Sequence, residues 1–200
     1  MALTKLNNNG IAGVTALPSS IALGDMVLVS SATASSSASL TFTLADYKEY
    51  QFYFVNIHPA TDDINFQFNL SIDSGSNYNV TKTTTWFQAY HAENDAGAAL
   101  AYNTSLDLAQ ATGFQTISGN VGIVSDSNVG GYLHLFNPSS TTFVKNFIAS
   151  AVTNTSGTPS YAQNAYVAGY ANTTSAVDRI QFKMSSGNID AGTILMYGIN

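Results

Sequence analysis

The sequence predicts an all-β protein, more specifically a jelly-roll-like antiparallel β-sandwich with an extended N-terminal arm. Charged residues make up 9% of the 200 residues, and Glu occurs only at Glu49 and Glu93, so the residues that usually cover exposed helices are scarce. Short runs rich in Thr, Tyr, Phe, Val and Ile recur between turn-forming residues, as expected for a sandwich. The length suits one sizeable domain.

Residues 1–25 are predicted to form the arm, because Gly10, Gly13 and Pro18 break their apolar clusters before any period of 2 or 3.6 develops. An arm this apolar is a candidate docking segment for a neighbouring subunit or a larger assembly. The predicted docking residues are Leu3, Leu6, Ile11, Val14 and Leu17. The alternative is a terminal strand packed on its own domain. Residues 26–200 are predicted to be a single β-sandwich domain.

Three segments predict strands with one buried and one wet face. Residues 64–72 (INFQFNLSI) alternate strictly between apolar and polar side chains, and residues 40–44 and 179–184 do the same over shorter lengths. Successive side chains of a strand point to opposite faces, so this alternation indicates a sheet with a polar outer surface.

Three other segments predict strands that are apolar on both faces. They are residues 50–57 (YQFYFVNI), 132–136 (YLHLF) and 192–199 (GTILMYGI). One face of such a strand contributes to the core, and the other needs a second layer, a loop or another subunit to cover it. We therefore expect neighbours to complete this protein.

Further strands are predicted in six segments, the last of which contains residues 179–184 already named, for a total of ten or eleven. These segments are 26–32, 83–91, 117–124, 143–151, 164–171 and 177–185. Residues 92–116 are the longest stretch expected to be irregular, with at most a turn or two of helix near 105–111. A connection of this length is typical of a functional surface loop.

The charge pattern excludes several partner classes. The net charge is −6, and the six Lys and Arg residues are scattered, so we expect no nucleic-acid binding and no attraction to an anionic membrane surface. We also expect no membrane insertion, because no run of 18 apolar residues exists. The absence of cysteine removes disulfides and thiolate metal sites.

Enzyme motifs are absent, so we predict a protein that is not an enzyme and has no catalytic residue, cofactor or metal. His58, His91 and His134 occur singly, without the paired spacing of a metal site. The adjacent Asp62 and Asp63 follow Pro59 and fit a turn better than a glycosidase pair. Residues 73–77 fit a hairpin turn better than a calcium loop.

Aromatic residues give one candidate binding surface. Trp86 and Tyr90 lie four residues apart on the same predicted strand, and they would stack on sugar rings if they faced solvent. The alternative is that they belong to the core or to an interface, where most aromatic side chains of β-sandwiches lie.

The chain also resembles a known class of proteins. The opening MALTKLNNNGI, the segments YKEYQFYFVNIHPATDDINFQF and GYLHLFNPSSTTFVKNFIAS, and the ending FKMSSGNIDAGTILMYGIN are similar to virion structural proteins of tailed bacteriophages, especially short proteins of marine and cyanobacterial phages. The resemblance implies a β-sandwich displayed outside the particle, on head or tail, and assembled as an oligomer, commonly a trimer. It implies no catalytic residues.

These lines together predict a non-enzymatic structural protein on the virion surface, either a capsid decoration or a tail-associated protein, that docks through its arm as an oligomer. The expected partners are further copies of itself, as a homotrimer, other phage virion proteins and a host surface glycan. Synthesis would take place in the host cytoplasm. The alternative function is a carbohydrate-binding receptor-recognition module of a tail fibre, with Trp86 and Tyr90 facing the glycan. A third possible function is that of a hydrolase.

Overall fold

A computed structural model describes residues 26–45 and 47–200. The predicted arm, residues 1–25, and its five docking residues lie outside the described residues. The prediction that they dock the protein therefore stays a prediction.

Twelve β-strands make up the described chain, and no helix occurs in it. They are β1 (Met26–Thr33), β2 (Leu40–Thr43), β3 (Glu49–Pro59), β4 (Ile64–Ser71), β5 (Lys82–Ala92), β6 (Ala98–Tyr102), β7 (Gln115–Val121), β8 (Val129–Phe136), β9 (Lys145–Asn154), β10 (Tyr161–Ala171), β11 (Arg179–Met184) and β12 (Ile189–Ile199).

The strands form two antiparallel sheets packed face to face. The larger has eight strands in the order β1-β12-β3-β8-β9-β10-β5-β6, and the smaller has four in the order β2-β11-β4-β7. The predicted all-β, jelly-roll-like antiparallel sandwich is therefore confirmed. Because the sheets differ in width, β7 at the edge of the small sheet lies against β9 and β10 and leaves β5 and β6 beyond it.

Each sheet contains the strands of one sequence pattern. The three segments with strict alternation became β2, β4 and β11, which are neighbours in the small sheet. The three segments that are apolar on both faces became β3, β8 and β12, which are neighbours in the large sheet. The polarity of the outward-facing side chains, which the sequence pattern predicts, therefore differs between the two sheets.

The core between the sheets is largely aromatic. Phe182 of β11 is fully buried, and its ring centroid lies 5.3 to 6.4 Å from those of five other phenylalanines. These five are Phe42, Phe52, Phe54, Phe66 and Phe68. Edge-to-face and offset ring pairs of this kind add to the hydrophobic stabilisation of the core.

The eleven predicted strand segments all appear, but the expectation for residues 92–116 is wrong in part. Residues Ala98–Tyr102 form β6, which pairs antiparallel with β5 from Phe87 opposite Tyr102 to His91 opposite Ala98. The segment AALAY has no clear alternation of apolar and polar residues, so the sequence does not indicate a strand there. Its pairing with β5 makes it one. Residues near 105–111 form turns along the free edge of β5, where the Lys82 amide donates to the Ala111 carbonyl at 2.9 Å.

Candidate functional site

One row of side chains crosses the outer face of the eight-stranded sheet from edge to edge. The strand register places these residues directly opposite one another, in the order Tyr102, Phe87, Tyr166, Ser150, Tyr132, Tyr53, Leu195 and Ser31. Directly paired residues share a face of the sheet, so their side chains line up on its outer surface. Most of the row is aromatic.

The aromatic row is exposed. Phe87 and Tyr166 stack with their ring centroids 5.0 Å apart and their planes 14° apart, and each is 37% exposed, as is Tyr132. Tyr102 at the end of the row is 52% exposed. Large apolar side chains on neighbouring rows, Leu100, Ile148 and Val152, are also exposed. A contiguous apolar surface of this kind is unusual on a monomer and is typical of an interaction site.

Polar groups on this face satisfy one another. The Tyr53 hydroxyl donates to Gln51 Oε1 at 2.9 Å, and Gln51 Nε2 donates to Glu49 Oε1 at 2.9 Å. The same Glu49 oxygen lies 3.1 Å from His134 Nδ1, and both side chains are mostly shielded from water. Because these partners lie within the sheet, covering the face with another molecule would leave few polar groups unpaired.

The outer face of the four-stranded sheet is different. It presents Thr41 and Thr43 from β2, Gln181 and Lys183 from β11, and Gln67 from β4. These side chains need no cover. Of the two outer faces, only that of the large sheet is therefore apolar. We call this surface the outer apolar face and define it as the aromatic row together with Leu100, Ile148 and Val152.

The outer side of the eight-stranded sheet, of which the outer apolar face is a part, is of interface size. Its strands are 5 to 11 residues long and spaced about 4.8 Å apart, so this side spans at most about 34 by 36 Å, or about 1,200 Å², in projection. A standard protein–protein interface buries about 800 Å² on each partner.

The two predicted glycan-facing aromatics have different environments. Trp86 is fully buried on the inner face of β5, so the prediction that it stacks on a sugar is wrong. Its position follows from the alternation of β5, where Thr84, Trp86 and Gln88 point toward the small sheet. Tyr90 lies on this inner side as well but is partly exposed, because it lines a pocket near the end of β5.

The three histidines lie apart, each beside a different carboxylate. His58, His91 and His134 are within 3.9, 3.0 and 3.1 Å of Asp190, Asp95 and Glu49. In residues 26–45 and 47–200, no three His, Asp or Glu side chains are grouped to hold a metal ion. Among the described residues no helix has the length and apolarity to cross a membrane.

Comparisons with protein-family models, with curated proteins and with solved structures found no match to this chain.

Sequence reasoning missed part of the outer apolar face. It identified β3, β8 and β12 as strands that need a second cover, but it did not include Tyr102 and Leu100, because it did not predict β6. It also did not place Phe87 beside Tyr166, because the pairing of β5 with β10 joins two strands that are distant in sequence. The aromatic residues of 83–91 were the sequence signal from which this part of the face could have been predicted.

Proposed function

We propose that the protein is a non-enzymatic structural subunit of the outer surface of a tailed-phage virion, as a capsid decoration or a tail-associated protein. In this proposal, copies of the chain associate through the outer apolar face, as a homotrimer, and the arm of residues 1–25 docks the oligomer on other virion proteins. The exposed aromatic row carries the proposal, because it is a large, mostly apolar surface without a cover in the described chain.

A second copy of this chain is the occupant that fits the face best. The side chains that define the face are uncharged, and the carboxylates beside them, Glu49 and Asp107, are hydrogen-bonded to Gln51 and Tyr102. The sheet that carries the face is wide enough for the area that one partner of a standard interface buries. Tyrosine and phenylalanine are the side chains that interfaces concentrate at their centres. The chain has no cysteine, so such burial supplies stability that disulfides give other extracellular proteins.

β1 supports the attachment part of the proposal. This edge strand follows the predicted arm directly, and its residues Met26–Val29 are exposed although all four are apolar. An apolar arm that continues into an apolar edge strand gives an extended surface for another virion protein. Several arms on one oligomer would bind together, so modest contacts at each arm would give durable attachment.

Sedimentation velocity tests the self-association directly. The full chain is expected to be an oligomer, and the double variant Phe87→Lys with Tyr166→Lys is expected to be a folded monomer, because two buried ammonium groups would have no partners. The control places the same charges on the polar face, as Thr41→Lys with Gln67→Lys, and is expected to keep the oligomer. A wild-type chain that stays monomeric at its highest soluble concentration would contradict the proposal.

Attachment to particles is tested separately. Immunogold labelling of phage particles with an antibody to this protein is expected to mark the particle surface. Replacing Leu3, Leu6, Ile11, Val14 and Leu17 by Ser in the full chain is expected to remove the label while the oligomer persists. Full incorporation of that variant would refute docking through the arm.

A further inference from the structure

A pocket of about 320 Å³ opens on the inner side of the eight-stranded sheet, where the small sheet no longer covers it. We call it the inner pocket. Its lining residues are Gln88, Tyr90, Asn120, Thr155, Ser156, Tyr161 and Gln163. They come from β5, β10, the end of β7 and the turn after β9. This volume is at the lower end of the range for small-molecule sites.

The walls of the inner pocket are fixed by their own contacts. The rings of Tyr90 and Tyr161 meet edge to face, with centroids 5.4 Å apart and planes at 90°. The amide of Tyr161 donates to Thr155 Oγ1 at 3.1 Å, and the amide of Thr155 donates to the Tyr161 carbonyl at 3.0 Å. The aromatic walls therefore stand in place before any ligand arrives.

Asn120 is held in a conformation that non-glycine residues seldom adopt. Its φ is +56°, its side-chain amide donates to Asp63 Oδ1 at 2.8 Å, and its carbonyl accepts from the Ser156 amide at 2.8 Å. These two bonds fix the position of Asn120 in the pocket wall.

One group in the pocket wall lacks a partner. Gln163 is 5% exposed, and its Nε2 donates to Gln88 Oε1 at 2.7 Å, but its Oε1 is buried and accepts no hydrogen bond from the described residues. A buried carbonyl oxygen without a donor carries a free-energy cost. Because Oε1 has almost no accessible surface, a ligand hydroxyl would reach it and recover that cost only when the Gln163 amide turns toward the pocket.

The chemistry of the lining selects the ligand class. Amides, hydroxyls and two phenol rings line the pocket, with no Lys, Arg, Asp or Glu among the lining residues. The carboxylate of Asp63 accepts a hydrogen bond from the lining residue Asn120, and its negative charge disfavours an anion. Aromatic walls with neutral hydrogen-bonding groups suit a molecule with apolar ring faces and several hydroxyls.

We propose that the inner pocket binds a neutral saccharide, with Tyr90 and Tyr161 against the sugar ring and the Gln163 amide turning to accept from a sugar hydroxyl. The pocket opens on the inner side of the sheet, so it is separate from the outer apolar face. Binding at this pocket would give the protein a recognition role in addition to its proposed structural one.

The test uses the full chain on an array of neutral mono- and oligosaccharides, with sialylated and sulfated glycans for comparison, followed by calorimetric titration of the best neutral saccharide. Gln163→Met keeps the length of the side chain but removes the amide, and is expected to weaken binding at least about tenfold. Ser156→Phe fills the pocket from its rim and is expected to abolish binding. Gln181→Met, on the polar face of the small sheet, is the matched control and is expected to bind as the wild type does.

Circular dichroism and thermal unfolding establish that each variant is folded. If Gln163→Met does not fold, Ser156→Phe still decides the question, because it replaces a partly exposed residue. No binding of any neutral saccharide, binding undiminished by Ser156→Phe, or a preference for anionic glycans would overturn the proposal. The Phe87→Lys, Tyr166→Lys variant is expected to keep the titrated affinity, so failure of self-association and failure of saccharide binding are distinguishable.

Discussion

Lys82 and Lys145 lie on either side of Ala171, and each pairs with it in the register of the eight-stranded sheet. Both lysines are fully buried, and among the described residues neither has a carboxylate partner. Lys82 Nζ donates to Asn69 Oδ1 at 2.5 Å and to the Val80 carbonyl at 2.7 Å. Lone amines at this depth are rare because desolvation opposes their charge. Here oxygens of Asn69 in β4 and of the adjoining loops replace water.

The first prediction concerns the pH dependence of stability. Burial lowers the pKa of Lys82 from 10.5 to about 7, so between these values the unfolded chain binds a proton that the native chain does not. The free energy of unfolding should therefore rise with pH above 7, by up to about 1.4 kcal/mol per pH unit from this group, and the gain is lost as pH falls toward 7. Burial also lowers the pKa of Lys145, which acts in the same direction.

Urea unfolding at several values between pH 7 and 9 measures this slope. Lys82→Met is expected to reduce it, because the variant has no amine to titrate at this position and keeps only the contribution of Lys145. Lys48→Met, at an exposed position, should keep the wild-type slope. Equal slopes for wild type and Lys82→Met would show that Lys82 keeps an ordinary pKa.

The second prediction concerns Lys145 as the centre of a loop cluster. Its Nζ donates to the carbonyls of Ser140, Phe143 and Thr173 at 2.6, 2.7 and 3.1 Å. Lys145→Met would leave these oxygens without that donor, and we expect a loss of about 3 kcal/mol in the free energy of unfolding at pH 7. Chemical denaturation measures the loss. A change within about 0.5 kcal/mol, as expected for Lys48→Met, would mean that water replaces the ammonium freely.

The third prediction concerns the aromatic core. Phe182→Ala removes the ring that contacts five other phenylalanines, and we expect a loss of about 3–5 kcal/mol in unfolding free energy. The neighbouring Gln181→Ala, whose side chain faces outward, should change it by less than about 0.5 kcal/mol. Similar losses in the two variants would contradict the assignment of the inner and outer faces of β11.

The fourth prediction concerns the close approach of β10 and β5. A Cβ added at Gly169 would lie 2.4 Å from the Thr83 carbonyl oxygen and 2.9 Å from Thr84 Cα, so the backbones would have to separate. Gly169→Ala should therefore destabilise the protein by about 1–3 kcal/mol. Gly97→Ala is the matched control, because nothing lies within 4 Å of a Cβ there. Thermal unfolding of both variants compares them, and equal midpoints would contradict the packing at Gly169.

Much of the fold follows from local patterns. Strict alternation in residues 64–72 predicts β4, and continuous apolar runs in 50–57 and 192–199 predict β3 and β12, because side-chain periodicity directly reflects which faces are buried. The same patterns indicate which sheet lacks a second cover. β6 could not be found in this way, since its small side chains acquire a face only by pairing with β5.

The candidate sites depend on contacts between distant parts of the sequence. Tyr90, predicted as a candidate glycan-facing residue, lines the inner pocket, but its pocket neighbours Asn120 and Tyr161 are 30 and 71 positions away along the chain. The sequence left Trp86 open between a glycan-facing and a core position, because an aromatic residue carries the same local signal whether it is buried or exposed. Strand register and the unequal widths of the sheets decide both cases, and neither is visible in a single segment.

The burial of Trp86, the sole tryptophan of the chain, separates two optical signals. Its indole is shielded inside the sandwich, so its fluorescence should emit at short wavelength in the native protein and shift to the red only when the core opens. The tyrosines on the outer side of the large sheet should instead respond when subunits meet. One unmodified sample can thus report unfolding and association at the same time.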